Sequence, residues 1–484
     1  MKKIISVFLC IIIAFSVSAS AFAQSSKPYV PEIIVTGFGR TDLIIDKGEP
    51  TEDQIFLPSM NRLKSALGEL AFPLSMFLLF NSSDYFAKSL VKTANNLFKE
   101  IEFDNNGEPV YDKISLERES DYYTFRYDFR YDVTDTAKIL NDYIEQIKEY
   151  HNVEKVALIP ESMGGAVTLA YLYLYGYDSV DTVVFRSSAM MGISFIGKVF
   201  TKEIHINPQD VTGFINSFIQ GQGNDKILER ALVSNIAKFP VMLIANKLNR
   251  FFDKQKDYIY ENSMCRMFGN LPGLWSFVPS EYYEEAKATM LDKEANRKII
   301  EKIDVYQYEI KPAAAELFKK MQADGVKVAL ISNYGLHGVP LVENDGCMTD
   351  FLVDTKYSSA GAVCSKIGGT LGENYTQERD DGFNHISPDG QIDASTCILP
   401  MNTWFVKGMI HTWYNDDYYR LIDWIIYESE NARIDENPEF PQFLYDNTDD
   451  ETLEILTEQS PDPLNDNLTA STFFGAFKNL VPKN

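Results

Sequence analysis

One run constrains the chain more than any other: Val156-Ala157-Leu158-Ile159-Pro160-Glu161-Ser162-Met163-Gly164-Gly165. Lys155 to Ile159 reads as a buried strand of β-branched and aliphatic residues. A turn follows from Pro160 to Gly165, and an apolar helix runs on at once from Ala166 to Tyr175. Thr182 to Phe185 then reads as another strand. A strand that feeds a helix and returns to a strand implies a right-handed crossover and a mostly parallel sheet.

The same alternation extends outward. Glu32 to Thr36 is a short strand ending in the turn Gly37-Phe38-Gly39-Arg40. Helices are expected at 59–75 and 85–99, and a strand at Tyr122–Tyr127. Thr134 to Tyr150 carries Ile139, Leu140, Tyr143, Ile144 and Ile147 at helical spacing. Lys311 to Ala323 is a helix, Gly325 its C-cap glycine, and Val326 to Ser332 a strand. Tyr418 to Tyr427 is a closing amphipathic helix. Residues 188–310 show helix-like patterning rich in aromatics and Met, with no strand rhythm.

The expected organisation is therefore an N-terminal core part over 24–187, a mainly helical cap or lid inserted over 188–310, and a C-terminal core part over 311–427. Residues 428–466 hold thirteen acids and one base, with four prolines. Together with the remainder to 484 they are expected to form an acidic, irregular tail.

Charge excludes some functions. With 45 Lys and Arg against 69 Asp and Glu, the formal net charge is −24. Nucleic-acid binding needs clustered cations, so it is not expected. Lys2 and Lys3, the apolar run Ile4 to Val17, and Ala21-Phe22-Ala23 form a secretory signal pattern with cleavage after Ala23. The mature chain is expected to be exported, with no stable membrane insertion. Cys10 leaves with the signal. Cys265, Cys347, Cys364 and Cys397 remain, enough for two disulfides with three connectivities. No C-x-x-C pair occurs, and neither a metal nor an organic cofactor is implied.

The chemistry is expected at Ser162. A serine on a tight turn between strand and helix is the setting of a nucleophile elbow. Its helix N-terminus favours a developing anion. A plain N-cap serine is the alternative. The turn after the first strand would supply a second donor, so the backbone N–H groups of Phe38 and Met163 form the expected oxyanion hole, with Gly37, Gly39 and Gly164 supporting the turns. An acid and a base should follow in the order Ser, Asp, His. His411, after the apolar segment from Thr403, is the expected base and His385 the backup; His337 precedes the best acid. Asp350 is the first choice for the acid, with Asp345, Asp354 and Asp393 as competitors.

These residues together resemble the lecithin–cholesterol acyltransferase family, an α/β-hydrolase group that includes phospholipid:diacylglycerol acyltransferases and lysosomal phospholipase A2. Ile33-Ile-Val-Thr-Gly-Phe-Gly-Arg40 is similar to its first strand and turn, with Thr36 where Pro is usual. Tyr127-Asp128-Phe129-Arg130 resembles its Y-D-W-R signature, and Ser162-Met-Gly-Gly165 its elbow. Trp275-Ser-Phe-Val-Pro279 resembles a piece of its cap. Tyr334 to Pro340 resembles its glycine-proline turn, and Thr349-Asp350-Phe-Leu-Val its acid loop without the glycines. Pro160-Glu161 departs from the usual G-H before the nucleophile.

The resemblance implies an α/β-hydrolase fold with a lid over an acyl-chain site. Trp275 and Phe277 would then meet substrate, and Met190, Met191, Phe195, Phe214, Phe218, Met264, Met267 and Phe268 could line the lid or simply form its core. Asp128 and Arg130 would support the site. The activity implied is that of a secreted serine esterase, lipase or acyltransferase acting on lipid-like carboxylic esters. Glu161-Ser162-Met-Gly-Gly165 also resembles the elbow of serine carboxypeptidases, so a peptidase is an alternative. A hydrolase-like binding protein without catalysis is another.

Overall fold

The computed structural model describes residues 29–460, except 42, 55–59, 112, 117–122, 221–237, 344–347 and 449. The signal pattern, Asp345 and Cys347 lie outside the described residues. The central sheet has eight strands. In chain order these are β1 (Glu32–Val35), β2 (Thr124–Phe125), β3 (Val156–Pro160), β4 (Val180–Arg186), β5 (Lys327–Tyr334), β6 (Thr403–Lys407), β7 (Phe443–Asn447) and β8 (Thr452–Ile455). Their order across the sheet is β2-β1-β3-β4-β5-β6-β7-β8. Every pair is parallel except the last.

Period-two alternation explains why the central strands are apolar throughout. Val156, Leu158, Val183, Phe185, Val328 and Leu330 face one core. Ala157, Ile159, Val184, Ala329 and Ile331 face the other. On the first face pack α3 (Val133–His151), α4 (Met163–Tyr175) and α8 (Lys311–Ala323), which follow α1 (Met60–Phe80) and α2 (Ser83–Leu97) in the chain. On the second face, α9 (Asp416–Asp423) and the turn after it bring Tyr418, Leu421, Ile422 and Trp424 against Trp404.

Residues 188–310 are helical and contain no strand among the described residues. They include α5 (Ser194–Phe200), α6 (Pro208–Gln220) and α7 (Lys238–Ile259). Two expected boundaries are corrected. First, α1 and α2 join this helical layer: Phe77 and Phe86 pack with Phe251 of α7. Second, residue 310 is no break. One helix runs from Arg297 to Ala323 with a π-helical turn at Tyr306–Ile310. Pro312 explains the turn, because its ring crowds the preceding carbonyls and it has no N–H to give.

The acidic C-terminal stretch is corrected too. Instead of an irregular tail, Phe443–Asn447 pairs in parallel with β6 and Thr452–Ile455 closes the edge. Leu444 and Trp404 are wholly buried there. The acids lie mostly in the turns and on the outer face, so composition hid a strand that the sheet edge buries. The two-disulfide arrangement is also not formed, since Cys265 and Cys397 carry free thiols. Among the described residues no helix is long and apolar enough to cross a membrane.

If β7 is a core strand, Leu444→Ala should lower stability by about 2–5 kcal/mol, the usual range for emptying a buried leucine site. Urea unfolding followed by fluorescence measures this. An unchanged midpoint would mean that the segment is a dispensable tail.

Candidate active site

Five segments meet at the carboxyl ends of β1, β3, β4, β5 and β6, the edge where such sheets place ligands. The sharpest turn is at Ser162, with φ 52° and ψ −119°. This conformation costs a non-glycine residue about 1–3 kcal/mol and persists only where the surroundings enforce it. Here they do. Ser162 N–H donates to Arg186 O (3.3 Å), and Ser162 O accepts from Ala189 N–H (3.0 Å) and Gly165 N–H (3.0 Å). Ser162 is therefore held from both sides by the end of β4.

Two glycines are required by close approach. A Cβ on Gly164 would lie 2.1 Å from Val35 O, so α4 can start against β1 only without a side chain. A Cβ on Gly37 would lie 2.9 Å from Ser162 Cβ, so the turn after β1 can lie against Ser162 only without a side chain there. Gly39 takes φ 73° in the same turn. The N–H groups of Gly164 and Gly165 go to Glu161 O and Ser162 O. As the first residue of the helix, Met163 has no intrahelical acceptor for its N–H. It is available to an anion beside Ser162.

The turn from Gly37 to Arg40 is fixed from beneath. Tyr127 hydroxyl donates to Thr36 O (2.9 Å), and Tyr127 N–H to Thr41 Oγ1 (3.2 Å). The Phe38 ring lies on Phe129 (4.4 Å) and near Phe277 (5.9 Å). Asp128 and Arg130 form a multiply hydrogen-bonded pair, with Nε to Oδ1 at 2.9 Å. Arg130 is buried and also donates to Glu100 O (3.2 Å). The pair thus anchors Phe129 and supports the turn at a remove. Trp275 is buried, with its Nε1 on Gly269 O (2.8 Å) and its ring against Phe200 and Tyr283. That makes it cap core and corrects the expectation that it meets substrate. Met190 and Met267 are core as well.

Asp350 and His411 come together. His411 Nδ1 lies 2.7 Å from Asp350 Oδ2, and His411 N–H donates to Asp350 O (2.7 Å). Asp350 is wholly buried, and its Oδ1 accepts from Val353 N–H (2.7 Å) and Leu352 N–H (3.1 Å). With Nδ1 donating to the carboxylate, Nε2 is the nitrogen left to accept a proton. The turn after Asp350 needs a positive φ, which a glycine would supply freely. Phe351 adopts φ 89° instead and stacks on Phe214 of α6 at 3.9 Å. Phe218 sits near Phe351 (6.0 Å) and Trp413 (5.8 Å), so α6 lays an aromatic cover over the acid and base loops.

The base loop and the elbow share one neighbourhood. Burial pulls the His411 pKa down. The charge of Asp350 and its hydrogen bond pull it up, Glu161 adds to that, and Arg40 opposes; the balance is upward. Glu161 and Arg40 belong to the elbow and to the turn after β1, so both flank Ser162. Among the described residues neither Ser162 Oγ nor His411 Nε2 is engaged in a hydrogen bond.

The competitors are placed elsewhere. Asp354 accepts from Ser194 N–H (2.7 Å). Asp393 organises a loop through Ser395 N–H, Glu378 N–H and Tyr375 hydroxyl. His385 is buried between Gln442 and Asp381. His337 lies under α6 beside Gly213, and burial alone pushes its pKa down to about 4. Sequence reading missed Arg186, Arg40 and the role of Glu161; the only signal was that Glu161 broke a familiar pattern. Among the described residues no group of His, Cys, Asp and Glu is placed to hold a metal ion.

The sheet order, the elbow after β3, the acid after β5 and the histidine after β6 decide the architecture. This is an α/β-hydrolase fold. No family model matches the sequence, and no curated protein matches it. Solved structures do. An esterase from Exiguobacterium antarcticum is 11% identical at a TM-score of 0.18, over 63% of this chain and 74% of that one. The Tle4–Tli4 complex is 13% identical at 0.24, over 63% and 75%. A bromoperoxidase from Bacillus anthracis is 10% identical at 0.19, over 65% and 76%. Scores this low carry no argument, and the fold rests on its own topology.

Gly164→Ala should displace the elbow and reduce reaction at Ser162 by about 100-fold, the scale of a 1 Å misplacement. Labelling by a fluorophosphonate measures it, and an unimpaired variant would contradict the tight approach to Val35. A base acts only when neutral, so with His411 in that role wild-type labelling should rise with pH through a midpoint above the ordinary histidine value of about 6.5. A flat profile between about pH 5 and 8 would contradict this reading.

Proposed function

We propose that the protein is an exported serine hydrolase or acyltransferase acting on lipid-like carboxylic esters, similar to the lecithin–cholesterol acyltransferase group. The observation that carries this reading is the 2.7 Å contact between His411 Nδ1 and Asp350 Oδ2; the strained turn at Ser162, next to Glu161 whose charge acts on His411, supports it. Ser162 Oγ attacks the ester carbonyl while His411 Nε2 takes its proton. The oxyanion is met by the N–H groups of Phe38 and Met163. His411 then gives the proton to the departing alcohol, leaving an acyl group on Ser162. Water, or a second alcohol, attacks the acyl-enzyme with His411 again as base, and Ser162 regains its proton.

Asp350 holds the imidazole in the reactive tautomer throughout. The preference for an apolar acyl group is supported by Phe214, Phe218, Phe351 and Trp413 around the acid and base loops. Export is supported by Lys2-Lys3, the apolar run to Val17 and Ala21-Phe22-Ala23.

Profiling the mature protein with p-nitrophenyl esters of rising chain length and with blocked peptides tests substrate class. Esters should be cleaved and peptides not; cleavage of the peptides alone would favour a peptidase. Ser162→Ala should abolish ester cleavage and fluorophosphonate labelling. Asp350→Asn should lower cleavage by about 10³–10⁴-fold, the scale for losing the orienting carboxylate of a triad. A folded wild-type protein that neither labels nor cleaves any ester would leave a binding protein.

A further inference from the structure

Glu161, the residue before the proposed nucleophile, is buried, at 3% exposed. Its Oε2 lies 3.0 Å from Arg186 Nη2, and its Oε1 lies 3.5 Å from Arg40 Nε. Arg186 ends β4 and is itself buried, at 4% exposed. Its guanidinium lies over the Tyr414 ring (4.7 Å) and near Tyr419 (5.7 Å), both just past His411. Arg186 Nε and the Tyr414 hydroxyl have no hydrogen-bond partner among the described residues.

A buried arginine with an orphaned donor is a poor device for stability. Such pairs are often matched or bettered by apolar residues of similar volume. The pair nevertheless stands where three pieces of the site join. Glu161 bridges to Arg186 along the backbone, Arg186 O accepts from Ser162 N–H, and Arg186 covers the loop that follows His411.

We propose that Glu161, fixed by Arg186, is a positioning residue for the Ser162–His411 pair: it ties the elbow to the end of β4 and presents to the imidazole a second carboxylate besides Asp350. This rests on the hydrolase reading above. His411 is bonded to Asp350, and the charges of Glu161 and Arg40 act on it as well; Glu161 is tied through Arg186 to the Tyr414 ring, three positions past His411. The groups facing Glu161 are Arg186, Arg40, Tyr127, Tyr414 and Tyr418. Glu161 helps to hold the imidazole protonated and Arg40 works against it. Deleting each charge should therefore move the acid limb of activity in opposite directions.

The test is the rate of fluorophosphonate labelling against pH, on the full mature chain, for wild type, Glu161→Gln, Glu161→Asp and Arg40→Gln, each checked for folding by thermal melting. Glu161→Gln should move the acid limb to lower pH while Ser162 is still labelled, and Glu161→Asp should keep the limb near wild type. Arg40→Gln, at a half-exposed side chain, should move it to higher pH. Limbs that superimpose on wild type in folded, labelled variants would overturn the proposal and leave Glu161 as packing. If Glu161→Gln does not fold, the double variant Glu161→Gln/Arg186→Gln, which removes both buried charges, decides: a limb at lower pH supports the proposal and an unmoved limb overturns it. A wild-type protein without Ser162-dependent labelling is a different result, because it removes the hydrolase reading itself.

Discussion

The site depends on one strained residue. Ser162 can hold a positive φ only because the end of β4 and the segment just past it grip it from two sides, while the end of β1 holds Glu161 beside it. That grip requires parallel neighbours whose carboxyl ends lie at the same level. It also requires a helix that begins without side chains at Gly164 and Gly165, since a Cβ on either would collide with Val35 O or with Ser188 Oγ. The strain is local, but the structure that maintains it is the whole central sheet.

A second constraint follows from burial. Asp350, Glu161 and Arg186 are all almost fully enclosed. In such surroundings charges act strongly on one another. Asp350 has hydrogen bonds supplied by Val353 and Leu352, so its turn is held by its own backbone. That bracing is preorganisation of the kind that makes an electrostatic site effective. Phe351 accepts an unfavourable backbone angle in the same turn, and its stack on Phe214 compensates by tying α6 to the acid loop.

Some features were readable because their physics is local. The elbow shows in ten consecutive residues, since a tight turn dictates both its small residues and the helix that follows. The pairing of Asp350 with His411 was readable only as a preference among several acids, because they lie 61 positions apart and a turn aspartate looks the same in sequence. The strand at Phe443–Asn447 was masked by the acids and prolines around it. Only its place beside β6 buries Leu444. Arg186 gave no signal, being one charged residue at the end of an apolar run.

The sequence by itself determined the alternation of strands and helices and the tight strand-to-helix turn that carries Ser162. Those follow from side-chain periodicity and backbone sterics within a few residues. The tertiary structure alone decided which acid meets the histidine, that α1 and α2 join the helical layer, and that Glu161 faces Arg186 rather than solvent. Those outcomes depend on which distant segments the sheet order makes adjacent, and no local pattern encodes that adjacency.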